Sequence, residues 1–420
     1  MQRFNDGRDW FFEKRFGMFL HWGLYAVPGW HEQIQWRRSM PKAEYVKLVD
    51  QFNPVLFDPD QWLDAVESAG MEYICFTTKH HDGFCLWDTA ETDYSIMHTP
   101  YGKDVLAMLA DACHRRGIRL CLYYSCPDWH QPNAINFGGD HQLKQPNPGD
   151  EPDLLKYVAY VKAQITELCT HYGQVSAFFW DIPPKINIPE LNETLRRLQP
   201  GIMINDRGFG PGDYSTPERH VPDGKGFSRP TEACQSIGRQ SWGWREDEDY
   251  YSDLLLMQSI DKILAMDGNY LLNVGPKPDG TLPDEALGIL ARIGDWFGRV
   301  REAFYGAEPA SHLVAGGETM LTRKGNSLYL HFPKPLASTG IVLNPLRIQP
   351  EQAILLNDGR ELRAAVDEVP TFWQSGAYLR IAGIPVNELA GEVPVIRLDF
   401  ADLDAALAAN DGSIGKEYLL

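Results

Sequence analysis

Six short apolar runs punctuate the first 275 residues: GMFLHWG (17–23), YICFTT (73–78), IRLCLYYS (118–125), VSAFFWD (175–181), IMINDRG (202–208) and NYLLNVG (269–275). Most are nearly continuous rather than alternating. A strand wetted on one face alternates apolar and polar residues. A strand covered on both faces need not, and that is the signature of a parallel sheet with helices over it.

Helical patterns fill the intervals. Asp58-Pro59 reads as an N-cap followed by proline in the first turn. Residues 104–116 put Val105, Met108, Leu109, Ala112 and Cys113 on one face, and Gly117 ends that helix. Residues 152–172 and 251–266 also read as helices. So does 283–301, with a stripe through Leu287, Leu290, Ile293 and Phe297. Repeated strand–helix units of this length predict a (β/α)8-type barrel or a doubly wound sheet.

The pattern changes near residue 305. NSLYLHF (326–332), GIVLNPL (340–346), QAILLND (352–358), AYLRIAG (377–383) and VPVIRLDF (393–400) are short strand candidates separated by turn residues. This predicts two domains, 1–305 with the α/β pattern and 306–420 as a β-sandwich. The loop 127–153, rich in Pro, Gly, Asn and Asp, reads as a site edge or as a surface excursion.

With 57 acidic against 39 basic residues the net charge is -18, which argues against nucleic acid or an anionic membrane as partner. No apolar run is long enough to span a bilayer. The first residues lack an apolar signal core, so a cytoplasmic location is expected. The cysteines are seven, an odd number, and several lie in apolar runs, which fits buried free thiols.

Strand after strand ends in residues that a pure core would avoid: His21-Trp22, Lys79-His80-His81-Asp82, Tyr123-Tyr124-Ser125, Asp181 and Asn205-Asp206-Arg207. In a parallel barrel these ends converge on one rim, where active sites sit. The sharpest case is AFFWDIPP (177–184), where Asp181 follows four apolar residues. A carboxylate there is desolvated unless a cation or hydrogen-bond donor faces it, although capping the next turn is an alternative role. Phe179 shares its face by period-two alternation. Downstream lie Glu218 and Glu232, with Trp242 and Trp244 nearby. Carboxylates on a rim among aromatics and histidines suit sugar hydrolysis, which needs one ionised and one protonated carboxyl.

These segments, FGMFLHWGLYAVPGW (16–30), FDPDQW (57–62), TTKHHDGFCLW (77–87), YYS (123–125), FFWD (178–181), NDR (205–207) and GNYLLNVGPKPDGTLP (268–283), resemble glycoside hydrolase family 29, the retaining α-L-fucosidases. The resemblance implies a (β/α)8-like TIM barrel followed by a C-terminal β-sandwich. It implies Asp181 as nucleophile and His21, His80 and His81 as ligands of the fucose hydroxyls. Tyr123, Trp36 and Arg207 match further pocket positions, and Phe179 and Trp242 match its aromatic wall. For the acid/base, Glu218 is preferred and Glu232 is the rival. The expected partner is a fucosylated oligosaccharide or glycoside, with no cofactor and no metal. A homo-oligomer is also expected, because the short first loop leaves room for a neighbouring subunit to complete the site. Three positions depart from the family pattern: Ile182 stands where a glycine usually follows the nucleophile, Phe179 where a tryptophan is usual, and Gln35-Trp36 replaces a Glu-Trp pair.

Two other readings compete. One is a zinc-dependent hydrolase ligated by His21, His80, His81 and Asp181, but adjacent histidines on a strand-like backbone diverge. The other is a carbohydrate-binding protein that has kept the pocket and lost the chemistry. Release of p-nitrophenol from an aryl α-L-fucoside separates enzyme from binder.

Overall fold

The computed structural model describes residues 1–135, 141–182, 186–317, 319–368 and 376–410. Its centre is a curled parallel sheet of seven strands: β1 Phe16–Leu20, β2 Tyr73–Lys79, β3 Arg119–Ser125, β4 Ala177–Asp181, β5 Met203–Ile204, β6 Glu232–Ser236 and β7 Asn269–Val274. Their spatial order is β5-β4-β3-β2-β1-β7-β6. Every residue of β1, β2, β4 and β7 is buried, which is why these segments carry so little alternation.

The helices start and stop on the expected signals. Asp58 accepts from the amide of Asp60 ahead of helix Pro59–Ser68, and Asp104 accepts from Ala107 ahead of Val105–Arg116. Gly117 closes the second in the left-handed region at φ 69°, a conformation glycine adopts without a Cβ penalty. Asp153 and Ser252 cap helices Leu154–Thr170 and Asp253–Ala265. In helix Asp284–Val300 the buried stripe runs through Ala286, Ile289, Leu290, Ile293 and Phe297. Leu287, expected on that stripe, is exposed.

The eight-stranded ring expected from the sequence has no regular eighth strand among the described residues. Between β5 and β6 only single bridges span the seam, Asn205 to Tyr214, Ser215 to Thr231 and Glu218 to Cys234. Pro211, Pro217, Pro222 and Pro230 fall in this stretch, and each lacks the amide hydrogen that a ladder requires.

Antiparallel strands begin at Glu308. Glu308–Pro309 (β8), Met320–Lys324 (β9), Ser327–His331 (β10), Gly340–Leu343 (β11), Gln352–Leu355 (β12), Arg363–Glu368 (β13), Ala377–Ala382 (β14) and Val395–Asp399 (β15) form two sheets. Their orders are β12-β15-β10-β9-β8 and β11-β14-β13. Leu328, Leu330, Ile396 and Leu398 of the first sheet share one apolar cluster with Leu343, Leu379 and Ile381 of the second. Polar contacts fasten this part to the α/β part, two buried ones among them. Trp296 Nε1 donates to the carbonyl of Val393 at 2.8 Å, and His331 Nδ1 lies 2.8 Å from Asp261 Oδ1.

Candidate active site

The C-terminal ends of the parallel strands gather on one rim around a small pocket. β1 delivers His21 just past its end, β2 delivers His80 and His81, β3 Tyr123, β4 Phe179 and Asp181, and the turn after β5 Arg207. Glu218 arrives on the bridged seam and Trp242 on the loop after β6. Phe179 and Asp181 face the pocket, while Phe178 and Trp180 join the core outside the sheet, as period-two alternation requires.

Asp181 is the electrostatic centre. Tyr123 donates to Oδ2 at 2.7 Å and Arg207 Nη1 donates to Oδ1 at 3.1 Å. His81 Nε2 stands 3.8 Å from Oδ2. Burial by itself would raise this carboxyl's pKa, but the Arg207 guanidinium and the Tyr123 hydroxyl outweigh it and hold it below the ordinary value. The group is therefore an ionised carboxylate in a largely dry site.

The same Arg207 Nη1 also donates to Glu218 Oε2, at 2.7 Å. Laid end to end, these two bonds cap the separation of the bridged oxygens at about 5.8 Å (3.1 Å plus 2.7 Å). Asp181 is buried, whereas the Glu218 side chain is 40% exposed. The two carboxylates thus face one space from opposite conditions, one enclosed and one open to solvent.

The imidazoles are neutral. Burial pushes the pKa of His21 and of His81 down to about 4, and that of His80 well below the ordinary histidine value. His80 stacks on Tyr123, and its Nδ1 is buried without a protein partner among the described residues. Behind the doublet, Lys79 is fully buried. Its ammonium donates to Asp128 at 2.8 Å and lies 4.2 Å from the ring centroid of Tyr124. Asp128 in turn accepts from the amides of His130 and Gln131, which anchors the loop across the histidines. Gly83 follows at φ 79°, and a Cβ there would collide with Asp128 Oδ1.

Set against known proteins, the sequence profile described as Alpha-L-fucosidase matches residues 2–302. The chain belongs to the α-L-fucosidase family. It is thereby a glycoside hydrolase. Among solved structures it is similar to the α-L-fucosidase isoenzyme 1 of Paenibacillus thiaminolyticus, with TM-score 0.84 and 32% identity over 94% of this chain and 99% of that one. A family 29 α-L-fucosidase of Bacteroides thetaiotaomicron, solved as a trapped covalent intermediate with 2-fluoro-fucosyl fluoride, matches with TM-score 0.77. It is 26% identical, over 93% of this chain and 94% of that one. The tissue α-L-fucosidase of Bos taurus is 27% identical over 406 residues, 86% of this chain and 85% of its own.

Of the residues that the family resemblance implies, the fold gathers His21, His80, His81, Tyr123, Phe179, Asp181, Arg207, Glu218 and Trp242 around the pocket. Trp36 is not in the lining. Its ring lies tilted beside that of His141, and its Nε1 donates to the carbonyl of Gln142. Glu232 is a layer below the rim, inside the sheet's curl, where Tyr73 donates to its carboxyl at 2.6 Å. Among the described residues no cluster of three or more His, Cys, Asp or Glu is placed to hold a metal ion.

Several residues of the pocket lining escaped the sequence reading, Glu32, Gln33 and His141 among them. Glu32 and Gln33 enter from the loop after β1, and His141 from the loop after β3. Glu32 Oε2 accepts from Ser241 Oγ at 2.8 Å and from the Trp242 amide at 2.9 Å, which pins the tryptophan wall. Burial would raise its pKa, but His31 and these donors hold it below the ordinary value. The only signal for it was an acidic residue inside the polar triplet His31-Glu32-Gln33, four positions ahead of the tryptophan expected in its place. Ile182, directly after Asp181, lines the pocket at φ 54°. A β-branched side chain pays about 1–2 kcal/mol in this left-handed region, where the usual glycine pays nothing.

Proposed function

We propose that this chain is an exo-acting α-L-fucosidase that hydrolyses terminal α-L-fucosides with retention of configuration, through a fucosyl-enzyme intermediate. The observation that carries the proposal is the pair Asp181 and Glu218 sharing one guanidinium nitrogen. A gap of at most about 5.8 Å fits the ~5–5.5 Å of a retaining pair and is too small for the ~6.5–9.5 Å of an inverting one. The covalent adduct trapped on the Bacteroides relative supports the same course.

In this reading Asp181 attacks the anomeric carbon as Glu218 protonates the departing glycosidic oxygen. Glu218 then takes a proton from water, which displaces the sugar from Asp181. Substrate entering between the carboxylates draws Glu218 away from Arg207, and the arginine stays on the nucleophile. The exo mode follows from shape. Histidines, Tyr123 and the Phe179–Trp242 wall close the deep end, and the open side is the one with Glu218, where the aglycone leaves. Glu218, not Glu232, is the acid/base, because Glu232 is sealed beneath the pocket floor. We also divide the chain near residue 305 and read the two antiparallel sheets, with their common apolar cluster, as a sandwich domain.

The deciding experiment is to label the enzyme with 2-deoxy-2-fluoro-fucosyl fluoride and map the modified peptide. Modification of Asp181 is expected, and a label on any other residue would refute the assignment. Glu218→Ala should slow substrates with poor leaving groups far more than activated aryl fucosides, and added azide should restore part of the rate.

A further inference from the structure

The hydrogen bonds behind the sugar-facing histidines fix which ring nitrogen carries the proton. Ser125 Oγ lies 2.6 Å from the carbonyl of Pro127 and 2.7 Å from His81 Nδ1. A hydroxyl has one hydrogen, and a carbonyl only accepts. The hydrogen therefore points at Pro127, and His81 Nδ1–H must donate to Ser125. The second case closes in the same way. Asn273 Nδ2 lies 2.7 Å from the carbonyl of Trp242 and 3.1 Å from Ser236 Oγ, whose own hydrogen goes to the carbonyl of Ser241. That end of the amide is the NH2, so Oδ1 faces His21 Nδ1 at 2.6 Å and accepts from it.

Both rings are buried and neutral, so each Nε2 keeps a bare lone pair. Neither Nε2 is taken up by a protein hydrogen bond among the described residues; His81 Nε2 stands 3.8 Å from Asp181 Oδ2, another acceptor. We infer that Ser125 and Asn273 are positioning residues that lock His81 and His21 as Nε2 acceptors, so that the pocket takes only a sugar whose ring hydroxyls donate to both. The identity of that sugar rests on the fucosidase reading; the tautomers do not.

The lock has a consequence for specificity. A hydroxyl replaced by fluorine keeps most of its size and loses its hydrogen. It would meet a lone pair with a lone pair, and a site built to bond a hydroxyl rejects the analogue that cannot make the bond. Without Ser125, the ring of His81 is free to move its proton to Nε2 and the rejection weakens.

Two measurements test this. Nitrogen-15 spectra of the histidine-labelled wild-type enzyme at neutral pH, assigned with His21→Gln and His81→Gln, should show both rings protonated at Nδ1 and bare at Nε2. A proton on Nε2 of either ring overturns the inference, whether or not the protein proves to be a fucosidase. Second, kcat/KM is compared between an aryl fucoside and its 3- and 4-deoxyfluoro analogues. The wild type should discriminate by about tenfold or more against at least one analogue. Ser125→Ala should shrink that ratio several-fold, whereas Ser125→Thr, which keeps the hydroxyl, should preserve it. Inductive effects of fluorine cancel in the comparison. A ratio unchanged in Ser125→Ala overturns the proposal, and absent turnover of every fucoside, with the spectra as expected, sinks the functional reading alone.

Discussion

Replacing Glu232 with glutamine should remove one pH-dependent slope from the stability of this protein. Glu232 opens β6 inside the sheet's curl, with 4% of its surface exposed. Burial raises its pKa from the ordinary 4.5 to about 7, against the hydrogen bonds of Tyr73 and Tyr214, which pull the other way. A carboxyl whose folded pKa is raised binds its proton more tightly in the folded state. Its contribution is fully present below 4.5, declines as pH rises, and is gone once pH passes about 7. At 1.36 kcal/mol per pH unit, the window amounts to about 3 kcal/mol. Glutamine is neutral throughout and presents an oxygen to Tyr73. The variant should therefore be more stable than the wild type at pH 8, by up to about 3 kcal/mol, and lose that advantage at pH 4.5. Denaturant unfolding of both proteins at the two pH values reads the difference, and every other titrating group cancels between them. A wild-type-to-variant gap that is the same at both pH values would show that Glu232 is not a buried proton-binding carboxyl. The same variant should keep most of its turnover, because its side chain lies beneath the pocket.

Further outcomes can be checked directly. Asp181→Ala should abolish hydrolysis of aryl fucosides while the circular dichroism spectrum stays that of the wild type; near-normal rates would remove Asp181 from the chemistry. Because burial lowers His21 and His81 to about 4, both imidazoles protonate only as pH falls through that value, and the acid limb of kcat/KM should lie near pH 4, not near 6.5. At position 182, where both truncations lose the isoleucine side chain, Ile182→Gly should be more stable in thermal melts than Ile182→Ala by about 1 kcal/mol, since only alanine keeps the left-handed strain. Lys79→Met should cost about 3–5 kcal/mol in denaturant unfolding by removing the buried cation that neutralises Asp128, and adding Asp128→Asn should recover part of that loss.

The barrel strands were legible because double-sided burial writes continuous apolar runs; the run 118–125 became β3 with one residue trimmed. Strands β9 and β13 were not, since Thr322-Arg323-Lys324 and Asp367-Glu368 give half-wet edges no apolar signal. That the described residues form no regular eighth stave was foreshadowed by prolines whose effect on hydrogen bonding is plain only once a ladder is sought there. In the site, polar residues at strand ends pointed to Asp181 and the histidine doublet. Glu32 and His141 come from loops, where no periodicity says which way a side chain turns. The choice between Glu218 and Glu232 depended on depth along a strand, and depth depends on the neighbouring strands, which are distant in sequence. Leu287 missed its face because a 3.6-residue repeat tolerates a stripe one position away.

The seam between β5 and β6 sets the order in which this molecule would fail. Asp181, the proposed nucleophile, rides on β4, laddered to β3 through five consecutive residues, whereas Glu218, the proposed proton donor, rides on a stretch tied by isolated bridges. On warming, amide hydrogens from 205 to 231 should exchange with deuterium before those of 177–181. An ageing preparation would then still capture a fluorinated suicide sugar at Asp181, yet release natural glycans poorly, having lost the carboxyl that helps them depart.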